Sequence, residues 1–342
     1  MIWLTWRQFR TQAIVASGAL TAFAVALAVT GPQLAGLYTA GLGACADHGN
    51  CAAAAASYLA QLRGTDDEFL FYAGIAVTYL APALIGIFWG APLITREFET
   101  GTFRLAWSQS VTRARWLAVK LGLIVLAAMT VAGLLSLMTG WWASPLYRAA
   151  GQASSSALSI NRFEPALFGA TGIVPIGYAA FGFAFGVTAG VLIRRTVPAM
   201  VATLAGFAIV QVAWLTWIRP HLISPLHATS ALRTVSFNGV GDFDNGTLLL
   251  QVGSVRGRAN AWITGTQPVS AAGQAISRAP HACMSISAHF LSCLSSHGVQ
   301  MAVTYQPASR YWAFQWYESA IYVALAVALA GVCAWRIRRR RS

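Results

Sequence analysis

The chain of 342 residues contains a single lysine, Lys120, and only ten acidic residues; charged side chains make up 10% of it. Lys120 follows Leu117-Ala118-Val119, so no GxxxxGK[ST] loop exists to cradle the phosphates of ATP. No HExxH occurs, and all six histidines (His48, His221, His227, His281, His289, His297) fall outside the long apolar runs. An intramembrane zinc or serine protease therefore lacks its histidine. Carboxylates, lysine and arginine are also missing from the cores of those runs, which disfavours a proton-coupled transporter.

What is present is apolar. The chain is 57% hydrophobic, with a mean hydropathy of +0.58. A globular domain could not hide that much apolar surface, so lipid is the solvent for much of it. Six charge-free intervals, 11–46, 69–95, 121–147, 165–193, 196–218 and 319–335, each hold an apolar core long enough to cross a bilayer as a helix. Spans are expected near 12–30, 70–92, 121–142, 167–193, 199–218 and 319–335. The fold class is an all-α integral membrane protein of six helices, with an external α+β domain between the last two.

Lys and Arg set the orientation. With both termini cytoplasmic, one face carries fourteen cations against two acids, Glu97 and Glu99, and the other nine cations against eight acids. The formal charge of +13 thus divides as +12 and +1. Such asymmetry describes a multi-pass membrane protein with both termini cytoplasmic, in contact with lipid and not with nucleic acid. Cysteine usage agrees. Cys45 and Cys51 fall in the first outer loop and Cys283 and Cys293 in the last, where an oxidising exterior favours disulfides. Local pairs, Cys45–Cys51 and Cys283–Cys293, close most easily, and pairing between the loops is the alternative. His281, Cys283, His289, Cys293 and His297 are residue types that bind zinc or copper, but paired cysteines are the commoner outcome, and no metal is expected. Leu42-Gly43-Ala44-Cys45 imitates a lipoprotein cleavage site, yet Cys45 lies well beyond the apolar core, so the first span is expected to stay.

Along the chain, 1–11 reads as an interfacial helix with Trp3 and Trp6 at headgroup depth, and 12–218 as five spans with a cytoplasmic segment at 95–120. The piece 219–317 is too long for a simple connection. In it TVSFNGV and TLLLQVGSV look like strands around an Asp244-Asn245-Gly246 turn, and 267–300 is expected to be partly helical. Residues 318–342 are the sixth span and a basic tail. Tyr311, Trp312, Phe314, Trp316 and Tyr317 form an interfacial aromatic belt. Gly182, Gly186 and Gly190 make a stripe for close helix packing.

The densest mixed charge in the chain is TREFETGTFR at 95–104, just past the second span. The positive-inside rule explains its arginines but not Glu97 and Glu99, which invite ion pairs to Arg7 and Arg10 or to a partner. The run APLITREFETGTFRLAWSQSVTRARWLAVKL resembles the cytoplasmic loop of type-2 ATP-binding-cassette permeases: Glu97, Glu99, Thr100, Gly101 and Thr102 match its E-x-E-T-G-T segment. The opening W-x-x-W-R-Q and the stretch YQPASRYWAFQWYE resemble a subgroup common in high-GC actinobacteria. The resemblance implies a non-catalytic permease subunit of an ATP-driven exporter, a second permease copy (a homodimer ahead of a heterodimer), and two copies of a cytoplasmic ATPase that binds the ATP and Mg. It places ATPase coupling on Arg7, Arg10, Glu97, Glu99, Thr100, Gly101, Thr102 and Arg104. It makes the second and fifth spans line the route, with Tyr79 and Gln211 as their polar residues. A hydrophobic or amphipathic small molecule or lipid-like cargo, carried outward, suits so apolar a route. The competing reading is a membrane sensor or immunity protein whose external domain binds a ligand and signals through a cytoplasmic ATPase.

Overall fold

The computed structural model describes residues 2–45, 51–100, 113–153, 160–242, 248–255, 258, 260–283 and 290–339. Among them six helices are long and apolar enough to cross a membrane: span one Phe9–Leu42, span two Asp66–Glu97, span three Ala118–Trp142, span four Val174–Ile193, span five Thr196–His221 and span six Ala308–Arg336. All six charge-free intervals therefore hold a span, but several run past the expected ends. The helix that contains span one is unbroken from Ile2 to Leu42, through Pro32, so the N-terminal segment and the span are one rod. What was read as the first outer loop is helical through Leu42 and again over Ala52–Gln61.

Span four is the axis of the bundle. Almost every side chain on it is buried, from Val174 to Val191. It lies against span two with backbones in direct contact. A Cβ added at Gly182 would sit 2.5 Å from the carbonyl oxygen of Pro82, and one at Gly190 would sit 2.7 Å from that of Ala91. At Gly186 it would overlap the carbonyl oxygen of Gly86. The partner surface on span two is a π turn, Gly86–Gly90, whose glycines meet the carbonyls of Gly182 and Phe183 in return. Small residues let dispersion contacts accumulate where lipid supplies no hydrophobic drive.

Span one is the least enclosed, with 6% of its most apolar stretch buried. It is held by Phe9 edge-on to Trp89 at 4.9 Å, by Gln12 Nε2 donating to the carbonyl of Phe88, and by Trp142 Nε1 donating to Thr30 Oγ1. Its far end packs with the short helix Ala52–Gln61 through Leu34, Tyr58 and Leu59.

Between spans five and six lies a small sheet region. Three antiparallel strands run in the order β1 (Leu226–Ala231), β5 (Gln300–Gln306), β4 (Trp262–Val269), and β2 (Val235–Asp242) pairs antiparallel with β3 (Leu248–Val255). The two segments expected as strands are β2 and β3. The turn at Asp244-Asn245-Gly246 lies outside the described residues. A short helix, Phe290–Ser296, follows. Leu232, Leu250, Leu294, Met301 and Val303 give this region its own core. It docks on the bundle through aromatics. Phe163 stacks on Trp262 at 5.9 Å and meets Tyr311 and Phe314 edge-on, and Asn161 Nδ2 donates to the carbonyl of Ala261. The expected aromatic belt therefore divides: Trp312, Trp316 and Tyr317 are exposed to the surroundings, while Tyr311 and Phe314 are buried.

Candidate functional site

Two polar sites lie at opposite ends of the bundle. At the first, span two continues as helix to Thr100 and carries Glu97 and Glu99. Glu97 forms an ion pair with Lys120 of span three, whose side chain is 4% exposed. Glu99 reaches span five. Its Oε1 accepts the Thr196 backbone N–H at 2.8 Å and its Oε2 accepts the Thr196 hydroxyl at 2.8 Å. Thr95, fully buried one turn earlier, hydrogen-bonds the same hydroxyl at 2.9 Å. This geometry follows from the turn before span five. Arg194 takes the left-handed conformation (φ 60°) that ends span four, Arg195 is extended, and Thr196 opens the next helix with its N–H groups unsatisfied. No side chain of its own strand of chain caps that helix, so Glu99 does. The Thr196 N–H, and then its hydroxyl, hold the Glu99 carboxyl below the usual carboxylate range.

Among the described residues, the hydrogen bonds of Glu97 and Glu99 go to Lys120 and Thr196, on spans three and five. Arg7 and Arg10 are exposed on the N-terminal helix. Gly101, Thr102 and Arg104 lie outside the described residues, as does the side chain of Thr100.

The second site lies where spans five and six meet the sheet region. Glu318 of span six is fully buried and accepts Arg219 Nε at 3.0 Å on one oxygen and Arg219 Nη2 at 3.1 Å on the other. The Tyr178 hydroxyl of span four donates to the same carboxylate. The Arg219 guanidinium also lies 4.1 Å from the centre of the Phe168 ring. Tyr79 of span two stands edge-on to Tyr178 at 6.3 Å, and Gln211 of span five accepts the Tyr322 hydroxyl at 3.4 Å. The structure thus brings both residues expected on the route into one interior polar cluster. A π turn, Trp214–Ile218, absorbs one extra residue in span five and brings Arg219 onto the face that carries Gln211 and Trp214.

Residues 17–219, well over half of the chain, match the protein family described as ABC-2 membrane transporter related. The chain belongs to that family. Comparisons with curated proteins and with solved structures find no match. As a member of the ABC-2 membrane transporter related family, the chain is a multi-pass permease of the ABC type, a kind of subunit that works with a partner ATPase. Its one lysine, Lys120, is buried against Glu97 and stands in no GxxxxGK[ST] motif.

In this ABC-2 permease, Cys45 is joined to Cys51 and Cys283 to Cys293. His297 Nδ1 lies 3.8 Å from both sulfurs of the second bridge. Those sulfurs are bonded to one another and are not the thiolates a metal would take. His289 and the side chain of His281 lie outside the described residues. Arg219 and Glu318 were missed in the sequence because each charge marked the end of an apolar interval. A signal was there: opposite charges abut spans five and six at mirror-image positions around one insert.

Proposed function

We propose that this permease is the membrane subunit of an ATP-driven exporter, working as two copies with two ATPase chains. It moves a hydrophobic or amphipathic, lipid-like cargo outward by alternating access. Both termini are cytoplasmic and the sheet region is external. The observation that carries the reading is the Glu99–Thr196 contact within the matched family region. It ties the charged segment after span two to the first turn of span five, so a push on that segment by an ATPase is delivered to a spanning helix. Nucleotide-driven closure of the ATPase would then bias a rigid-body switch of the bundle. Arg7 and Arg10, exposed on the long rod of span one, offer a second contact for the same partner.

The test is copurification of the tagged full chain from its native membrane in mild detergent, followed by ATPase measurement. A stoichiometric P-loop ATPase stimulated by the permease is expected. Glu99→Lys, on an exposed side chain, should keep the ATPase bound and lower its stimulation severalfold. Absence of any ATPase, or undiminished stimulation with Glu99→Lys, overturns the reading. A second reading, a membrane sensor or immunity protein using the same ATPase, is favoured by the separate core of the sheet region. Vesicle flux separates the two, since a sensor binds ligand without net transport.

A further inference from the structure

We propose that the Arg219–Glu318 pair is a latch across the seam of spans five and six. Its opening exposes a stripe of hydrogen-bond donors on span five to cargo that carries acceptor groups, such as ester or amide carbonyls. The inference rests on the transport reading for what passes, and on the geometry alone for the latch.

Stability does not explain the pair. Removing two ions from water costs on the order of what their contact returns, and apolar replacements of similar volume commonly hold a fold as well or better. A buried pair within spanning helices points instead to function. The closed arrangement also leaves donors unsatisfied. Arg219 Nη1, Gln211 Nε2 and Trp214 Nε1 on span five, and Ser319 Oγ on span six, are buried without a hydrogen-bond partner. Each such group carries a desolvation penalty that water or a cargo oxygen would relieve on opening. The shut state is therefore held by the ion pair and strained by the idle donors, which is how a latch comes to be poised between two states.

The surroundings say which helix moves. Span four cannot leave span two, because their backbones touch at Gly182, Gly186 and Gly190. Span six is bolted to the start of span four by Gln315. Its Oε1 accepts the N–H groups of Ile173 and Val174, and its Nε2 donates to Phe168 O, Thr171 O and the Tyr311 hydroxyl. Span five is pinned at Thr196 by Thr95 and Glu99 and toward its other end by Arg219, and just past it the carbonyls of Ile223 and Ser224 accept Gln306 Nε2 at 2.6 Å and Arg310 Nη1 at 2.7 Å. With the Thr196 end and the Ile223–Ser224 end both held, release of Arg219 frees the stretch between them, which carries Gln211 and Trp214, to part from span six.

The test uses Gln211→Cys in a Cys333→Ala background, in lipid nanodiscs, with a charged maleimide as probe and no ATPase or cargo present. Slow labelling is expected with the native pair. Glu318→Gln should speed it severalfold, and Tyr178→Phe, which leaves both ions, should speed it less. Arg219→Met with Glu318→Leu should slow it severalfold without lowering the melting temperature. Equal rates in all four proteins, or no labelling in any, overturns the latch. Because the ATPase does not enter, failure here is distinct from failure of the copurification that tests the exporter reading.

Discussion

At the scale of single residues, the two acids of the TREFETGTFR stretch do different work. Glu99 is exposed and ionised at neutral pH. Its carboxyl is held below the usual range by the Thr196 N–H and hydroxyl, so its contribution is complete above the ordinary carboxylate range and is lost only as pH falls through that lowered value. Glu97 is different, because Lys120 is almost wholly enclosed beside it. Lys120→Met would leave the carboxylate without its cation in a low-dielectric site. Breaking a buried pair from one side costs about 3–5 kcal/mol. The 13% exposure of the Glu97 side chain places the expected loss near the lower end of that range. The thermal midpoint in mild detergent should fall clearly for Lys120→Met and recover most of the way when Glu97→Leu is added. A single variant that melts like the parent would mean that the pair is solvated and contributes nothing.

At the scale of elements, the seam between spans two and four is governed by glycine. Gly186→Ala adds one methyl group, but that group falls on the carbonyl oxygen of Gly86, and backbone cannot give way as the tip of a side chain can. Overpacking should cost toward the upper end of ~1–3 kcal/mol. Gly18→Ala on span one meets nothing within 4 Å and serves as the control. A lowered melting temperature for the first and none for the second is the expected outcome, and equal melting would mean that the seam is looser than the structure has it. The stripe Gly182, Gly186, Gly190 was legible in the sequence, and so were all six spans, since apolar length is a local property. Span ends were not. A charge-free interval stops at the first ion, whereas a helix continues through ions that find partners: Glu97 and Lys120 at one end of the bundle, Arg219 and Glu318 at the other. Pairing cancels the penalty that defined the interval, and the partner lies on another helix. Glu99 and Thr196 show the same limit, because nothing local at either position names the other.

At the scale of the whole molecule, alternation of the six spans puts the sheet region, both disulfides and the Arg219–Glu318 pair on one side, and Glu97, Glu99 and the turn at Arg194 and Arg195 on the other. The side with Glu97 and Glu99 collects fourteen of the 23 cations and only two of the ten acids. Cytoplasmic loops hold such an excess because cations there are not carried across the membrane during insertion. The disulfides argue in the same direction independently, since they persist in oxidising compartments. The two arguments share no residue and would have to fail together for the orientation to be reversed. A short epitope inserted between β2 and β3 should therefore bind antibody on intact cells. A second epitope at the C-terminus, beyond the basic run that ends span six, should bind only after permeabilisation. Binding of the C-terminal epitope alone on intact cells would invert the molecule. It would put Glu99 and Thr196 outside the reach of any cytoplasmic ATPase, so the coupling and the export direction argued from them would fall with the orientation.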